Sequence, residues 1–354
     1  MALTIGRGGR APFVAEGAAE GAACPGCLAR GAFYSGGGAG PAPRARRGIV
    51  DVHAHLTPPR YIQDLADTNL LQPPTLAWSP EKHIEDMDRA EVSLAILSVT
   101  TPGVWFGDVE KGRRISRYTN DYAAKLASDH KGRFGQFTAI PLPDIEGSLR
   151  EIEHGLDTQE SDGVALFTNY DGKWLGDPAF DPVFEELNRR KAVVYVHPIS
   201  APCCVNALPY LPDAMIEYGT DTTRALVNYV FGGAARRFPD VTMIWSHAGG
   251  TMPFLIERFD MSEKLPAVRA HVPDGFRAGA RKFFYDTAQA SNAVAMGALR
   301  QVVPASQIVF GTDFPFRSAS DHVSALEGGG VFSADELRGI WRGNAARVLP
   351  RHAG

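Results

Sequence analysis

Ile49-Val50-Asp51-Val52-His53-Ala54-His55 predicts a short buried strand that ends in two histidines. Consecutive side chains of a strand point to opposite faces, so His53 and His55 are expected to point the same way. Two imidazoles on one face, at the carboxyl end of a strand, are suited to binding one divalent metal ion. A His-x-His pair is also compatible with two packed histidines, so the metal-site prediction depends on the rest of the chain.

Three later apolar runs also end in a residue that binds metal or carries a proton. They are Val193-Val194-Tyr195-Val196-His197, Met243-Ile244-Trp245-Ser246-His247 and Ile308-Val309-Phe310-Gly311-Thr312-Asp313. Taken alone, His197 could be a packed strand end and Asp313 the N-cap of a following helix. Four apolar strands with His or Asp at the same end are difficult to explain by packing, so the set indicates one site.

The chain from Ile49 onward alternates between apolar runs and helix-like segments. The apolar runs span residues 49–55, 94–100, 133–141, 163–168, 192–198, 241–247, 283–288 and 308–313. Eight such strands, apolar on both faces and separated by helices, are typical of an α/β (β/α)8 TIM barrel. Active sites in that fold lie at the carboxyl ends of the strands, where the His and Asp residues fall.

Local signals place several helices between these strands. Ser79-Pro80-Glu81 predicts a helix start with an N-cap serine and proline in the first position. Asp177-Pro178 predicts a second start, and Ser333-Ala334-Asp335-Glu336 predicts a capping box for the last helix. A helix between the second and third strands is indicated by an apolar stripe of Ile115, Tyr118, Tyr122 and Leu126.

Residues 1–48 differ in composition from the rest of the chain. They are rich in Gly, Ala and Arg and have no sustained apolar period, so the sequence predicts a disordered extension before a catalytic domain at 49–354. Cys24-Pro25-Gly26-Cys27 has the spacing of half a zinc site or a redox pair, but no second pair with that spacing exists.

The overall composition is that of a globular enzyme. The chain has 354 residues, is 44% hydrophobic and carries a net charge of −4, which argues against nucleic acid and anionic membranes as partners. No apolar run approaches the ~20 residues that span a bilayer. The adjacent Cys203 and Cys204 are not expected to pair with each other, so the sequence predicts a reducing, cytoplasmic setting.

The residues at the strand ends form a complete set of metal donors. Nitrogen atoms of His53, His55 and His197 with an oxygen of Asp313 suit Zn²⁺, and also Mn²⁺ or Fe²⁺. A metal bound there would polarise a substrate oxygen and lower the pKa of a bound water. His247 is expected beside the metal as a general acid/base.

These motifs, in this order, resemble those of the metal-dependent amidohydrolase superfamily, and in particular its decarboxylase branch, over residues 49–350. Within that branch the arrangement is similar to the amino-carboxymuconate-semialdehyde decarboxylases, and the segment at 170–176 is more similar to the 6-methylsalicylate decarboxylase group. The motifs that carry the resemblance are Asp51-Val52-His53-Ala54-His55, Met87-Asp88, His197-Pro198, Ser246-His247-Ala248-Gly249-Gly250-Thr251-Met252-Pro253-Phe254, Phe284-Tyr285-Asp286-Thr287-Ala288 and Gly311-Thr312-Asp313-Phe314-Pro315-Phe316.

The resemblance implies roles for residues and a quaternary structure. It implies the four metal ligands named above, His247 as the catalytic acid/base, and a homodimer or homotetramer in which Arg258 reaches a neighbour's substrate carboxylate. The semialdehyde enzymes also use an arginine in the loop after the metal motif, and residues 70–79 contain none here. The substrate is therefore expected to carry a single carboxylate.

The predicted function is metal-dependent, non-oxidative decarboxylation of an aromatic or unsaturated carboxylic acid, of the salicylate type, such as 6-methylsalicylate. His247 is the first candidate for the proton carrier and Asp313 the second. Two alternatives stay open: a hydrolase or hydratase that acts on a lactone, amide or double bond, and a metal-binding scaffold without activity. The aromatic side chains expected to line a pocket are Trp78, Trp105, Phe106, Tyr170, Tyr210 and Phe316.

Overall fold

The computed structural model describes residues 48–353, and its central feature is a sheet of eight parallel strands. The predicted extension therefore lies outside the described residues except for Gly48, and so do Cys24 and Cys27. The strands are β1 (Ile49–Leu56), β2 (Val92–Val99), β3 (Phe134–Ala139), β4 (Gly163–Phe167), β5 (Asn169–Tyr170), β6 (Lys173–Trp174), β7 (Val193–His197), β8 (Thr242–Trp245), β9 (Phe284–Asp286) and β10 (Ile308–Val309). Each of the eight predicted strands is present, and β5 and β6 form an additional antiparallel hairpin.

The sheet closes on itself between its first and last strands. Its order is β1-β2-β3-β4-β7-β8-β9-β10. The backbone N–H of Val52 donates to the carbonyl of Phe310 at 2.9 Å, and that of His55 donates to the carbonyl of Phe314 at 2.8 Å. These bonds join β1 to the chain that continues from β10, so the predicted TIM barrel is confirmed.

Helices cover the outside of the barrel. The α-helices are α1 (Pro59–Asp64), α2 (Pro73–Leu76), α3 (Pro80–Ala90), α4 (Val109–Asp129), α5 (Ile145–Glu153), α6 (Asp181–Arg189), α7 (Glu217–Phe231), α8 (Ala234–Arg237), α9 (Ile256–Ser262), α10 (Pro266–Arg269), α11 (Phe276–Ala280), α12 (Ala293–Val302), α13 (Ala319–Gly328), α14 (Ala334–Arg338) and α15 (Asn344–Val348). Across residues 48–353, none of the helices is long and apolar enough to cross a membrane.

The predicted helix starts are confirmed by their caps. The Ser79 side chain accepts a hydrogen bond from the backbone of Lys82 at the start of α3. Asp177 caps a short 3-10 turn (Pro178–Phe180) that leads directly into α6. Ser333 and Glu336 form both bonds of the capping box of α14.

The barrel interior is filled by apolar side chains below the catalytic end. Members of this cluster come from every strand of the barrel; Phe137 and Tyr195 stack with ring centroids 5.4 Å apart. The Tyr195 ring lies 5.1 Å from the ring of His53. His53 therefore packs against a buried aromatic ring, which limits its movement.

A register irregularity in β1 turns the two histidines toward the interior. The pairing of β1 with β2 shifts between Asp51 and Ala54. Val50 and Val52 pack in the interior cluster, whereas Ala54 packs in the outer layer against the helices. The alternation thus slips by one residue across the irregularity, as in a β-bulge. The Asp51 carboxylate stabilises it by accepting hydrogen bonds from the backbone of His53 at 3.0 Å and of Thr312 at 3.1 Å.

The loop after β7 corrects one expectation. Cys203 and Cys204 form a disulfide with each other, so the prediction that these neighbours do not pair is wrong. They lie in a run of turns at residues 202–206, which departs from the extended backbone in which neighbouring side chains point to opposite faces.

Candidate active site

Five side chains from four barrel strands converge at the carboxyl end of the barrel. Asp313 Oδ1 lies 3.1 Å from His53 Nε2, 2.9 Å from His55 Nε2 and 3.8 Å from His197 Nε2. One donor atom from each of His53, His197, His247 and Asp313 lies within 4.8 Å of the others. His55 joins this group through its Nε2, which is 3.1 Å from that of His53. The sequence predicted this convergence.

In three of the histidines, the ring nitrogen that faces away from the cluster, Nδ1, lies next to an oxygen atom that can accept a hydrogen bond. His53 Nδ1 lies 2.7 Å from Asp286 Oδ2, His55 Nδ1 lies 3.3 Å from the Ser98 carbonyl, and His197 Nδ1 lies 2.9 Å from the Pro198 carbonyl. Carbonyl and carboxylate oxygens accept hydrogen bonds, so these contacts assign the N–H to Nδ1 and leave the Nε2 lone pair facing the cluster. This is the support that metal-binding histidines receive in proteins.

The electrostatic environment favours a cation among these atoms. Burial lowers the pKa of His55, and it lowers that of His197 well below its ordinary value. Burial acts the same way on His53, but the carboxylates of Asp286 and Asp313 raise its pKa overall to about 10. Against burial, the contacts with His53 and with the other histidines hold the pKa of Asp313 well below its usual range.

The geometry fits a divalent metal ion. Two imidazole lone pairs 3.1 Å apart repel each other unless a proton or metal ion lies next to both. His197 Nε2 is buried and has no hydrogen-bond partner in the described structure. Three histidine nitrogens and one carboxylate oxygen complete the donor set of a divalent transition-metal site. The protein therefore contains a metal site built from three histidines and an aspartate.

His247 differs from the other histidines in how it is held. It follows β8 with a φ of 52°, a backbone conformation that non-glycine residues rarely adopt, and its backbone N–H donates to Asp286 Oδ1 at 2.8 Å. Its Nε2 lies 3.5 Å from Asp313 Oδ2, the oxygen that faces away from His55. The His247 side chain is 10% exposed, against 3% or less for the other three. It therefore borders the open side of the cluster.

Three residues at the site were not predicted. Asp286 bridges the His53 ring and the backbone of His247. Gln289 donates from Nε2 to Asp313 Oδ2 at 3.0 Å. The Tyr218 hydroxyl lies 3.0 Å from Thr101 Oγ1, and the Tyr218 ring is 6.1 Å from that of His197. Of the three, only Asp286 could have been predicted from the sequence, because it lies at the end of the seventh barrel strand, as Asp313 follows the eighth.

The predicted substrate contacts lie in different environments. The half-buried Phe316 ring is 6.2 Å from the ring of His55. Trp78 and Tyr170 are buried in the outer core, where the Tyr170 hydroxyl accepts from the backbone of Phe167 at 2.9 Å. Arg258 is exposed on α9. Phe316 is thus the one of these four that lies against the cluster, and the roles of all four stay predictions.

Comparison with known proteins places the chain in a family. The sequence profile of the amidohydrolase family matches residues 50–351. The chain is 34% identical to decarboxylase yanB of Aspergillus niger, across 85% of this chain and 87% of that protein. It is also 34% identical to 6-methylsalicylic acid decarboxylase of Penicillium expansum, across 86% of this chain and 97% of that protein.

A solved structure supports the fold. Dihydroxybenzoic acid decarboxylase of Polaromonas sp., determined with bound manganese and the inhibitor 2-nitroresorcinol, superposes with a TM-score of 0.76 at 19% identity. The superposition covers 86% of this chain and 97% of that one. The chain belongs to the amidohydrolase family and is a carboxy-lyase of its decarboxylase branch.

Proposed function

We propose that the protein removes CO₂ from a salicylate-type acid, with 6-methylsalicylate as the first candidate. The observation that carries the proposal is the cluster itself: the Nε2 atoms of three buried histidines lie within 3.8 Å of Asp313 Oδ1, and the more exposed His247 lies beside Asp313 Oδ2. The similarity to 6-methylsalicylic acid decarboxylase of Penicillium expansum supports this choice of substrate. The relatives named above are decarboxylases, which favours loss of CO₂ over hydrolysis at the same cluster.

The metal ligands in this proposal are His53, His55, His197 and Asp313. Zn²⁺ suits three nitrogens and one oxygen, and the Polaromonas enzyme, which contains manganese, supports Mn²⁺ as the alternative. A metal held by these residues would supply positive charge that attracts the carboxylate and ortho-hydroxyl oxygens of the substrate. The buried, hydrogen-bonded histidines hold that charge in one position, so little reorganisation is needed during the reaction.

His247 delivers the proton in this mechanism. Its protonated ring gives a proton to the ring carbon that bears the carboxylate, which uses two electrons of the aromatic system to form the new C–H bond. The bond to the carboxylate then breaks, its two electrons restore the aromatic ring, and CO₂ leaves. The 10% exposure of the His247 side chain and its position 3.5 Å from Asp313 Oδ2 support this role.

In this proposal, Gln289 orients the Asp313 carboxylate, and Phe316 and Tyr218 orient the substrate. Gln289 holds Asp313 Oδ2, which leaves Oδ1 for the histidines. If Asp313 instead carries the proton, this amide is the contact that must break. Phe316 offers an aromatic face next to His55, suited to a flat ring. The Tyr218 ring lies 6.1 Å from that of His197, and its hydroxyl can donate and accept hydrogen bonds.

We also infer a homodimer or homotetramer in which Arg258 contacts the neighbour's substrate. The support is its exposure on α9, beside the exposed Phe254 and Met261, because exposed apolar side chains of this size favour association. Light scattering at enzyme-assay concentrations tests the assembly. Arg258→Ala with unchanged kinetics in a confirmed dimer contradicts the role of the arginine.

The decisive assay follows CO₂ release from a panel of acids by the metal-loaded protein. The panel contains 6-methylsalicylate, salicylate, its meta- and para-hydroxy isomers, and a muconate-type acid. Release of CO₂ with formation of the matching phenol is expected only from the ortho-hydroxy acids, because chelation needs the neighbouring hydroxyl. Equal turnover of the isomers contradicts the chelation, and hydrolysis of a lactone without CO₂ release contradicts the proposed function.

A further inference from the structure

The loop between β7 and α7 contains a pair of adjacent cysteines that the proposed reaction does not use. Cys203 and Cys204 are joined in a disulfide, with Cα atoms 3.8 Å apart. Cys203 is exposed and Cys204 is half-buried. A thiol in solution therefore has access to the sulfur of Cys203.

Two hydrogen bonds to one carboxylate close this loop around the cysteines. Ser200 Oγ donates to Asp213 Oδ2 at 3.0 Å, and the backbone N–H of Asn206 donates to Asp213 Oδ1 at 3.0 Å. Both anchors end on one carboxylate, so residues 200–213 form a closed loop that holds the disulfide. We call these residues the cysteine loop.

The cysteine loop connects two parts of the active site. It begins three residues after His197, and it ends at Asp213, which starts the short helix Asp213–Met215 that leads into α7. The second residue of α7 is Tyr218, whose ring lies 6.1 Å from that of His197. The cysteine loop thus joins the segment after His197 to the helix that carries Tyr218.

The charges near the two sulfur atoms differ. Arg224 Nη2 lies 3.9 Å from Cys204 Sγ. The same guanidinium also lies 3.6 Å from Asp221 Oδ1 and 3.8 Å from Glu217 Oε2. Because an adjacent cation stabilises a thiolate, Cys204 is the better leaving group and Cys203 is the accessible point of attack.

We propose that Cys203 and Cys204 form a reversible redox site that controls substrate binding, an inference that rests on the proposed function for its effect on activity. The thiolate of a dithiol reductant attacks Cys203 Sγ, the S–S bond breaks, and its electron pair leaves on Cys204. The second thiolate of the reductant then displaces Cys203 from the mixed disulfide. In total the pair gains two electrons and two protons, and the dithiol is oxidised to its own disulfide.

The redox state is measured first, without reference to activity. Trypsin cuts after Lys191 and Arg224, so one peptide contains both cysteines. From protein purified without reductant and blocked with an alkylating agent, this peptide is expected unalkylated and lighter by two hydrogen atoms than its dithiol form. After treatment with dithiothreitol it is expected to carry two alkyl groups and, before alkylation, to bind phenylarsine oxide, which bridges neighbouring thiols. Free thiols in the untreated peptide would overturn the proposal.

The kinetic test uses a background in which Cys24 and Cys27 are serine, so that only one pair can respond. Reduction removes the covalent constraint on the loop, so KM is expected to rise about threefold to tenfold with little change in kcat. The Cys203→Ser/Cys204→Ser variant should have the higher KM with and without reductant. A wild-type KM that is unchanged by reduction overturns the control of binding. If the peptide responds but no acid is decarboxylated, the redox site stands and the proposed function fails.

Arg224 provides the second variant. Arg224→Gln is expected to slow reduction by dithiothreitol about threefold, because the thiolate of Cys204 loses its cation. Arg224→Lys retains the charge and should restore most of the rate, which a loss of packing would not allow. Equal rates in all three proteins would overturn the assignment of Cys204 as the leaving sulfur.

Discussion

Two regions of this protein contain histidines that are equally buried but differ in their hydrogen bonds. In the metal cluster, His53, His55 and His197 are 2% exposed or less, and their Nδ1 atoms face oxygen acceptors. Beside α3, His83 is 1% exposed, but its Nδ1 accepts a hydrogen bond from Trp78 Nε1 at 3.3 Å. The Trp78 contact assigns the N–H of His83 to Nε2, the reverse of the cluster histidines.

The partner of the outer nitrogen, and not burial, therefore separates the proposed ligands from this packed histidine. His83 has its lone pair occupied by the indole, and its ring stacks on Phe314 at 4.3 Å. His83 therefore has no lone pair to offer a metal, although the ring on which it stacks belongs to the residue that follows Asp313. Trp78 is part of this packing region, and its contact with substrate stays a prediction.

The largest expected effect is the loss of the metal. Asp313→Ala removes the oxygen that lies within 3.1 Å of both His53 and His55, which is the one anionic donor of the proposed set. We expect about one metal ion per chain in the wild type and almost none in the variant, with loss of CO₂ release. Elemental analysis after gel filtration measures the metal content, and the assay with the panel of acids measures CO₂ release.

Asp313→Asn is the matched control for shape. It keeps the volume and one carbonyl oxygen, so partial metal retention with weaker binding is expected. Full metal content in Asp313→Ala would contradict the ligand assignment.

His247→Gln is expected to have the next largest effect. It removes the proton carrier but leaves the proposed ligands in place, so turnover should fall about 10²–10⁴-fold while the metal content stays near that of the wild type. Stopped assays of CO₂ together with elemental analysis separate the two quantities. If His247→Gln loses metal as readily as His197→Ala, His247 is a ligand and belongs with the cluster histidines.

Asp286→Asn tests the outer contact directly. The amide can still accept from His53 Nδ1, but it no longer has the charge that raises the pKa of this histidine. Loss of such a contact typically weakens metal binding about 10–100-fold. Competition with a chelator of known affinity measures this change. Unaltered affinity would show that the partner of the outer nitrogen is not what defines the ligands.

The sequence predicted the barrel and the convergence because both depend on local patterns. Alternation of apolar runs with helices identifies the strands, and the carboxyl ends of parallel strands meet at one end of the barrel. His53, His197 and Asp313 therefore had to lie together once the fold was known.

The contacts that orient the cluster depend on backbone turns that sequence patterns do not indicate. Gln289 and Asp313 have φ values of 53° and 63°, which aim their side chains at each other. The bulge in β1 and the turn that pairs Cys203 with Cys204 are also backbone conformations that the sequence pattern does not indicate. Trp78 follows a loop whose direction depends on α2, so its burial against His83 was not visible in the sequence.

The smallest expected effect concerns His83 and the pH dependence of stability. Burial lowers the pKa of His83 to about 3, with further contributions from His55 and Arg133, whereas the unfolded chain protonates near the ordinary value of 6.5. As the pH falls below 6.5 the unfolded state binds a proton that the folded state does not, so the folded state loses stability until the pH reaches about 3. At pH 5 this loss amounts to about 2 kcal/mol for one histidine.

His83→Gln removes the titration and keeps an acceptor for Trp78, so its free energy of unfolding should fall less than that of the wild type between pH 7.5 and pH 5. Urea unfolding of both proteins at the two pH values measures the difference, in which the contribution of the metal cluster cancels. Trp78→Phe, which removes the indole donor but not the titrating ring, should retain the wild-type pH dependence. Parallel curves for His83→Gln and the wild type would show that His83 is protonated in the folded protein, and the contrast with the cluster histidines would then fail.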